Sequence, residues 1–192
     1  MINSRRPLLW VATVLLASSA SAKTVIDELS VTADDRGAYH LVSRFFVETS
    51  SATVWQVLTD YDRIDDFVPS VKRSEAKERR GEELVLEQQW VTRVLVFART
   101  FHVRLAIREE AEARILFRDL SGKDFEFYEG SWRIEPSNQG VWVQYKLRAK
   151  PVFSVPRFVA RKMFKKAAED LLSEVRLEIM RRGAQTAGAS PR

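Results

Sequence analysis

The segment VETSSATVWQVLTDYDRIDDFVP, which runs from Val47 to Pro69, determines how the rest of the chain is interpreted. It follows a strand-like run that begins at Tyr39, and its Thr49-Ser50-Ser51 cluster is typical of helix N-caps. Apolar residues from Val54 to Leu58 then fall at helical spacing. An acidic second turn ends at Pro69, because the residue before a proline is disfavoured in a helix. The segment therefore predicts a strand followed by two short helices.

Between Val71 and Ala149, apolar and polar residues alternate in runs that are separated by turn residues. The run from Phe101 to Arg108 is the clearest, and Gly130 is the expected position of a bulge within an aromatic-rich strand. Every connection has the length of a hairpin, which predicts an antiparallel sheet of six or seven strands. An additional strand or lead-in is expected between Thr24 and Ala33.

A long helix is predicted after the sheet, from Val155 to Arg182, because Pro151 and Pro156 end the last strand. Apolar residues recur there at steps of three and four and form a wide stripe. A sheet with one apolar face and a helix with an apolar stripe bury each other. We therefore expect the curved sheet to wrap around this helix.

The opening motif and this order of elements resemble the SRPBCC superfamily, whose START-like members share the helix-grip fold. The motif V-W-x-V-L-x-D-Y corresponds here to Val54–Tyr61, and the later F-V-P corresponds to Phe67–Pro69. The resemblance extends from about Tyr39 to Arg182 and is strongest to the coenzyme-Q-binding and polyketide cyclase/dehydrase branches. It implies an α+β fold with a curved antiparallel sheet around a long C-terminal helix, and two short helices after the first main strand.

The first 22 residues have the features of a signal peptide. Arg5 and Arg6 precede a largely apolar run of ten residues, from Leu8 to Ala17, which is too short to span a bilayer because a spanning helix needs about 20 residues. Ala20-Ser21-Ala22 fits a cleavage site, so the mature chain is expected to begin at Lys23 and to be periplasmic or secreted. An uncleaved membrane anchor is the alternative. We expect one START-like domain over residues 23–183 and a disordered tail over 184–192.

The positive charge is concentrated in the C-terminal helix. The whole chain carries a formal charge of +5, and the segment from Val155 to Gly183 alone has eight basic and four acidic residues. The cations of its first turns oppose the helix dipole, which suggests contact with an anionic membrane or ligand head group; a solvated face is the alternative. The residues concerned are Arg157, Arg161, Lys162, Lys165 and Lys166. Export disfavours nucleic acid as a partner despite the basic composition, and none is predicted.

Candidate catalytic and metal-binding groups are few. The chain has no Cys, and its two His residues, His40 and His102, both fall within predicted strands without metal-ligand spacing. The acidic residues from Asp60 to Asp66 lack the glycine and terminal glutamate of a calcium loop and are interpreted as a solvated turn. We therefore predict no metal, no cofactor and no catalytic residue from these patterns.

Inward-pointing apolar and aromatic residues are abundant. They could simply fill a core, but a helix-grip fold leaves a gap in which an apolar ligand can bind. The predicted lining residues are Phe67, Val68, Trp90, Phe101, Phe117, Phe127, Trp132, Tyr145, Phe158, Met163 and Leu171. The apolar run from Val94 to Phe97 is either a buried strand or a wedge that touches lipid.

The sequence thus favours a non-enzymatic carrier of an isoprenoid quinone, a lipid or another aromatic compound. The alternative is a cyclase or dehydratase that acts on a hydrophobic substrate in the same cavity, with polar residues such as Gln88, Tyr145 or Asp119. A protein-interaction module is a third, weaker reading.

Overall fold

The computed structural model describes residues 26–94, 97–154 and 156–188. It describes the side chains of these residues except those within 94–97. The predicted signal peptide and its cleavage site lie outside the described residues, and so do the last four residues of the predicted tail. The side chains of the apolar run from Val94 to Phe97 are likewise outside them. Within the described ranges, no helix is both long and apolar enough to cross a membrane.

Eight strands and three α-helices make up the described chain. In order, they are β1 (Glu28–Ala33), β2 (Tyr39–Val47), α1 (Ser51–Leu58), a 3-10 turn (Tyr61–Arg63), α2 (Ile64–Phe67), β3 (Val71–Arg80), β4 (Glu83–Val94), β5 (Phe97–Glu110), β6 (Arg114–Asp119), β7 (Phe125–Ser137), β8 (Gly140–Pro151) and α3 (Arg157–Gly188).

All eight strands belong to one curved antiparallel sheet with the order β1-β2-β8-β7-β6-β5-β4-β3. Strands β3 to β8 are joined as consecutive hairpins, whereas β2 pairs with β8 across the chain, from Tyr39 opposite Ala149 to Val47 opposite Val141. The antiparallel helix-grip fold predicted from the sequence is confirmed. The sheet has eight strands rather than six or seven, because the lead-in segment pairs with β2 along its whole length.

The predicted cap of α1 is present. The Ser50 hydroxyl accepts a hydrogen bond from the Thr53 backbone N–H at 3.1 Å, which satisfies one of the free donors of the first turn. Val54, Val57 and Leu58 are buried and anchor α1 to the core. The 3-10 turn and α2 then run beside the edge strand β3, where Asp62 accepts a hydrogen bond from the Ala76 N–H at 2.7 Å.

Helix α3 packs against the apolar face of the sheet. Leu172 and Ile179 are fully buried, and the Phe164 ring stacks on Tyr39 of β2 with 4.6 Å between the ring centroids. The helix begins at Arg157, two residues after the predicted start at Val155, and it continues to Gly188, six residues beyond the predicted end at Arg182. Residues 184–188 of the predicted disordered tail are therefore helical. No residue before Gly188 breaks the helix, and the Thr186 hydroxyl donates to the Arg182 carbonyl at 2.9 Å.

The bulge in β7 lies at Glu126, four residues before the predicted position. The pairing of β7 with β8 shifts register between Phe125 and Phe127, whereas Gly130 pairs regularly with Phe117. Gly130 is required for another reason: a Cβ atom there would lie 2.2 Å from the Lys146 carbonyl oxygen and 2.5 Å from Cζ of Phe117. The glycine lets the Phe117 ring pack directly over the strand.

Candidate functional site

A cavity of about 160 Å³ lies between the inner face of the sheet and the helices. Every strand except β1 contributes to its lining, together with α1, α2 and α3. Within the described residues, no Asp, Glu, Lys, Arg or His side chain lines it. The polar lining groups are Ser70, Gln88, Thr92 and the tyrosine and tryptophan polar atoms. The cavity is therefore suited to an apolar molecule.

Seven aromatic rings form one wall of the cavity, which we call the aromatic wall. Neighbouring rings have their centroids 4.5 to 6.0 Å apart, within the range of favourable aromatic contacts. In spatial order the rings belong to Trp90, Phe101, Phe125, Tyr128, Phe117, Tyr145 and Trp132. They come from neighbouring strands, and their side chains project side by side from the inner face of the sheet. The sheet therefore presents a continuous aromatic surface to the cavity.

Two tyrosine hydroxyls are buried at this wall. Burial raises the pKa of Tyr128 to about 12, and the neighbouring Tyr145 hydroxyl offsets part of that increase. Burial also raises the pKa of Tyr145 well above its usual value. Both hydroxyls are consequently protonated at neutral pH, so they can donate hydrogen bonds to an oxygen of a ligand but are poor bases.

Of the other polar groups named from the sequence, only Gln88 faces the cavity. Its amide donates to the Ser74 hydroxyl at 3.0 Å. Asp119 does not line the cavity: its carboxylate accepts from the backbone N–H groups of Ser121 and Gly122 and orders the turn after β6. Its short side chain in a Ser-Gly turn is satisfied locally, as is usual for aspartate in turns.

A charged cluster flanks the cavity near Tyr61. Arg79 donates to the Glu109 carboxylate through both terminal nitrogens, at 2.8 and 3.0 Å. Burial opposes ionisation of Glu109, but the hydrogen bonds from Arg79 lower its pKa overall. Burial and the nearby Glu109 raise the pKa of Tyr61. The carboxylate is thus ionised and already paired, and it is not poised for proton transfer. No group of three or more metal-ligating side chains occurs within residues 26–94, 97–154 and 156–188.

Eight of the eleven predicted lining residues line the cavity: Phe67, Trp90, Phe101, Phe117, Trp132, Tyr145, Met163 and Leu171. The prediction is wrong for the other three. Val68 is fully buried in the core behind the lining. Phe127 lies on the outer face under Arg148, whose Cζ is 4.2 Å from its ring centroid. The pairing with β8 is regular from Phe127 to the inward-facing Trp132, and their odd separation places the two side chains on opposite faces. Phe158 is 62% exposed on α3.

Several lining residues were not predicted from the sequence, among them Phe125, Tyr128 and Phe153. Phe125 and Tyr128 both face inward because the bulge between them inserts one extra residue. Phe153 belongs to no strand or helix, so no periodicity could place it. The two prolines around its segment were the available signal that this stretch packs as a fixed connection.

Two half-buried rings mark where the cavity meets the solvent. Phe67 ends α2 directly after the exposed Asp66, and Phe153 precedes α3 between the exposed Val152 and Ser154. An arginine covers each ring: Cζ of Arg182 lies 5.8 Å from the centroid of Phe67, and Cζ of Arg99 lies 3.8 Å from that of Phe153. Cation–π contacts therefore hold both rings in place.

The five basic residues predicted at the start of α3 are all exposed, and we call them the basic face: Arg157, Arg161, Lys162, Lys165 and Lys166. Lys165 and Lys166 form ion pairs one turn further along the helix, and Arg157 donates to the Asp34 carbonyl. Within the described residues, no carboxylate lies within 4.0 Å of the charged groups of Arg161 or Lys162. Because successive residues turn by about 100°, Phe158 lies at the centre of this face.

The chain belongs to the family described as polyketide cyclase / dehydrase and lipid transport, whose model matches residues 47–176. This match confirms the resemblance to the SRPBCC, START-like proteins. No curated protein sequence matches the chain significantly.

Solved structures share the fold at low sequence identity. A Streptomyces aromatase/cyclase is 15% identical with a TM-score of 0.64, over 79% of this chain and 97% of that chain. A STAR-related lipid transfer protein from Xanthomonas axonopodis is 19% identical with a TM-score of 0.58, over 80% and 99%. A di-domain aromatase/cyclase from the steffimycin biosynthetic pathway is 14% identical with a TM-score of 0.64; the match covers 79% of this chain and 52% of that one.

Proposed function

We propose that the protein is an exported, non-enzymatic carrier that holds a hydrophobic molecule between the sheet and α3. The observation that carries this proposal is the lining of the cavity, which is apolar and aromatic apart from a few neutral polar groups. Transfer of an apolar molecule from water into such a cavity is favourable. The family description includes lipid transport, and one structural relative is a lipid transfer protein, which supports the same function.

The volume of the cavity limits what it holds without rearrangement. A cavity of about 150 Å³ accommodates a benzene-sized molecule, whereas pockets for drug-sized ligands measure about 300–1,000 Å³. The 160 Å³ of this cavity therefore suits one ring or a short chain. An isoprenoid quinone or a phospholipid would have to displace Phe67 or Phe153, or leave its tail outside.

We further propose that the carrier collects its ligand at an anionic membrane surface. The basic face supplies the charge, and Phe158 supplies an exposed aromatic ring at its centre. Cations that surround an exposed aromatic residue are typical of interfacial helices, because the ring enters the lipid while the cations contact the head groups. Phe153, which borders the cavity, lies only five residues before Phe158, so the contact surface and the cavity opening are close along the chain.

Export remains part of the proposal through the predicted signal peptide. Cleavage after Ala22 would release a mature protein that begins at Lys23. N-terminal sequencing of protein recovered from the periplasm or the medium tests this directly. Recovery of a chain that still begins at Met1 would contradict it.

The second candidate is a cyclase or dehydratase in the same cavity. Two observations favour it: Tyr128 and Tyr145 offer hydroxyl donors at the aromatic wall, and aromatase/cyclases share the fold. Against it, removal of a substrate proton requires a base. Within the described residues, no carboxylate or imidazole lines the cavity, and the raised pKa values of the two tyrosines keep them protonated.

Native mass spectrometry of protein purified without detergent tests the carrier function. We expect an adduct of defined mass, and we expect denaturation to release it chemically unchanged. Added ligand should also raise the melting temperature, because a ligand that binds only the native state stabilises that state. The proposal fails if no adduct is found and if quinones, fatty acids and phospholipids all leave the melting temperature unchanged. A released compound that differs from the one supplied would favour the enzyme.

Charge reversal tests the membrane contact. We expect the double variant Arg161→Glu/Lys162→Glu to bind vesicles of phosphatidylcholine and phosphatidylglycerol at least tenfold more weakly, because each cation near an anionic surface contributes about 1 kcal/mol. The matched control is Arg118→Glu/Lys146→Glu, which changes the net charge equally on the outer face of the sheet. Equal losses in both double variants would show that net charge, and not the basic face, determines binding.

A further inference from the structure

The start of β5 places an arginine at one end of the cavity. Arg99 is two residues before Phe101, so its side chain leaves the strand on the inner face. Its Cζ lies 3.8 Å from the ring centroid of Phe153 and 5.6 Å from that of Phe101, and both rings line the cavity. Thr92, the cross-strand partner of Arg99, also lines it. A charged group thus adjoins an otherwise neutral cavity.

The hydrogen bonds of Arg99 are incomplete. Its Nη2 donates to Oδ1 of Asp124 at 3.1 Å, whereas its Nε is buried and has no acceptor among the described residues. Asp124 is itself buried, and its other oxygen accepts from the His102 backbone N–H at 2.9 Å. The pair is therefore joined by one hydrogen bond rather than by a two-bond fork. Because a guanidinium has five N–H donors, Arg99 retains donors for a second acceptor.

We propose that Arg99 anchors the acidic head group of the ligand, so that the carried molecule is an amphipathic carboxylic acid whose apolar part fills the cavity. This inference rests on the proposed carrier function. A carboxylate can accept from two guanidinium nitrogens at once, and such charge-assisted bonds are about twice as strong as neutral ones. The Phe101 and Phe153 rings shield part of the guanidinium from water, which strengthens the contact further.

The surrounding charges favour an anion with one charge. Arg93 is exposed one residue beyond Thr92 and adds positive potential; no carboxylate of the described residues forms an ion pair with it. Asp124 already shares the charge of Arg99, and His102 Nδ1 lies 3.7 Å from Asp124. A carboxylate, with one negative charge, is compensated here better than a doubly charged phosphate. The Phe153 ring covers the guanidinium, so binding of the head group requires this ring to move aside.

The test compares octanoate with 1-octanol, which share a chain and differ in the head group. In isothermal titration calorimetry, we expect the native protein to bind octanoate at least tenfold more tightly than octanol. Arg99→Gln should remove that preference while it leaves the affinity for octanol within twofold, and the octanol value shows that the cavity is intact. Arg93→Gln is the matched control and should keep the preference.

Asp124→Asn provides a variant with the opposite expected sign. The amide oxygen still accepts from the His102 N–H, but it no longer competes as an anion for Arg99, so octanoate should bind several-fold more tightly. If the Arg99–Asp124 pair served only to hold the structure together, both variants would instead bind octanoate and 1-octanol more weakly than the native protein. The inference is overturned by equal affinity of the native protein for the two ligands, or by equal losses in Arg99→Gln. If neither ligand binds, the proposed carrier function fails, and the inference fails with it.

Discussion

Glu178 is a buried carboxylate near the end of α3, held by two arginines. Arg181 donates to both of its oxygens, at 2.6 and 2.7 Å, and Arg182 donates to it at 2.6 Å. Arg182 also donates a hydrogen bond to Asp60 at 2.7 Å. This bond links the C-terminal part of α3 to the connection that follows α1. The two hydrogen bonds from Arg181, followed by the one from Arg182, outweigh the effect of burial and lower the pKa of Glu178 to about 2.

This lowered pKa predicts how stability depends on pH. Ionised Glu178 stabilises the fold above its unfolded-state pKa of 4.5, and this contribution is lost as the pH falls through about 2. The full loss is about 3 kcal/mol, since one pKa unit corresponds to about 1.4 kcal/mol. We expect Glu178→Gln to lower the free energy of unfolding at pH 7 and to flatten its decrease between pH 7 and pH 3, as measured by urea unfolding.

The control for Glu178 is Glu174→Gln, one turn earlier on the same helix. Glu174 forms no ion pair within the described residues, so its variant should retain the pH dependence of the native protein. If the stability curves of Glu178→Gln and the native protein stay parallel from pH 7 to pH 3, the two arginines do not stabilise this carboxylate as described.

Single residues also show what the sequence alone could reveal. The inward positions of Trp90, Phe101 and Tyr145 were predictable because regular alternation fixes the face of each side chain. Phe158 was not, because the wide stripe includes it at helical spacing, whereas Val159 and Ala160 form the buried side of the first turn of α3 and leave Phe158 exposed. The charged anchor Arg99 was missed because its sequence neighbours give no sign that it lies at a cavity.

At the level of single elements, the bulge in β7 decides which aromatic side chains reach the cavity. Phe125 and Tyr128 both face inward across the bulge, whereas Phe127 packs outside against Arg148. Alternation can be read from the sequence, but the position of an inserted residue cannot, because it depends on the pairing with β8. The predicted order of elements was consequently correct, while Phe125 and Tyr128 were missed and Phe127 was assigned to the wrong face.

The bulge predicts different outcomes for two similar substitutions. Phe125→Leu removes a ring from the aromatic wall and should change the affinity for 1-octanol by at least threefold. Phe127→Leu alters the outer face and should leave it unchanged. Calorimetric titration of both variants provides the measurement. An effect of Phe127→Leu as large as that of Phe125→Leu would place Phe127 in the cavity and contradict the observed register.

At the scale of the whole molecule, the cavity lowers the stability of the fold but provides the space in which a ligand can bind. Its walls lack the packing contacts that a filled core would provide. Ala167→Leu adds a larger side chain at a half-buried lining position. We expect this variant to be more stable by about 1 kcal/mol and to bind 1-octanol at least fivefold more weakly. Thermal unfolding and calorimetry measure the two effects.

The matched control for Ala167→Leu is Ala184→Leu, at an exposed position of the same helix. It should leave the affinity for 1-octanol unchanged and should change the free energy of unfolding by no more than about 0.5 kcal/mol. If Ala167→Leu retains full affinity for 1-octanol, the ligand does not occupy the space between the sheet and α3.

The pairing of β2 with β8 has a consequence for the order in which the chain acquires structure during synthesis. Tyr39 lies opposite Ala149, so an early strand has no inner neighbour until more than a hundred further residues have been made. Contacts between such distant residues slow folding, because a long loop must close before they form. Helix α3 comes later still. A nascent chain that ends before β8 therefore lacks both the closed sheet and the helix that covers it, and it remains open to any factor that recognises unfolded polypeptide.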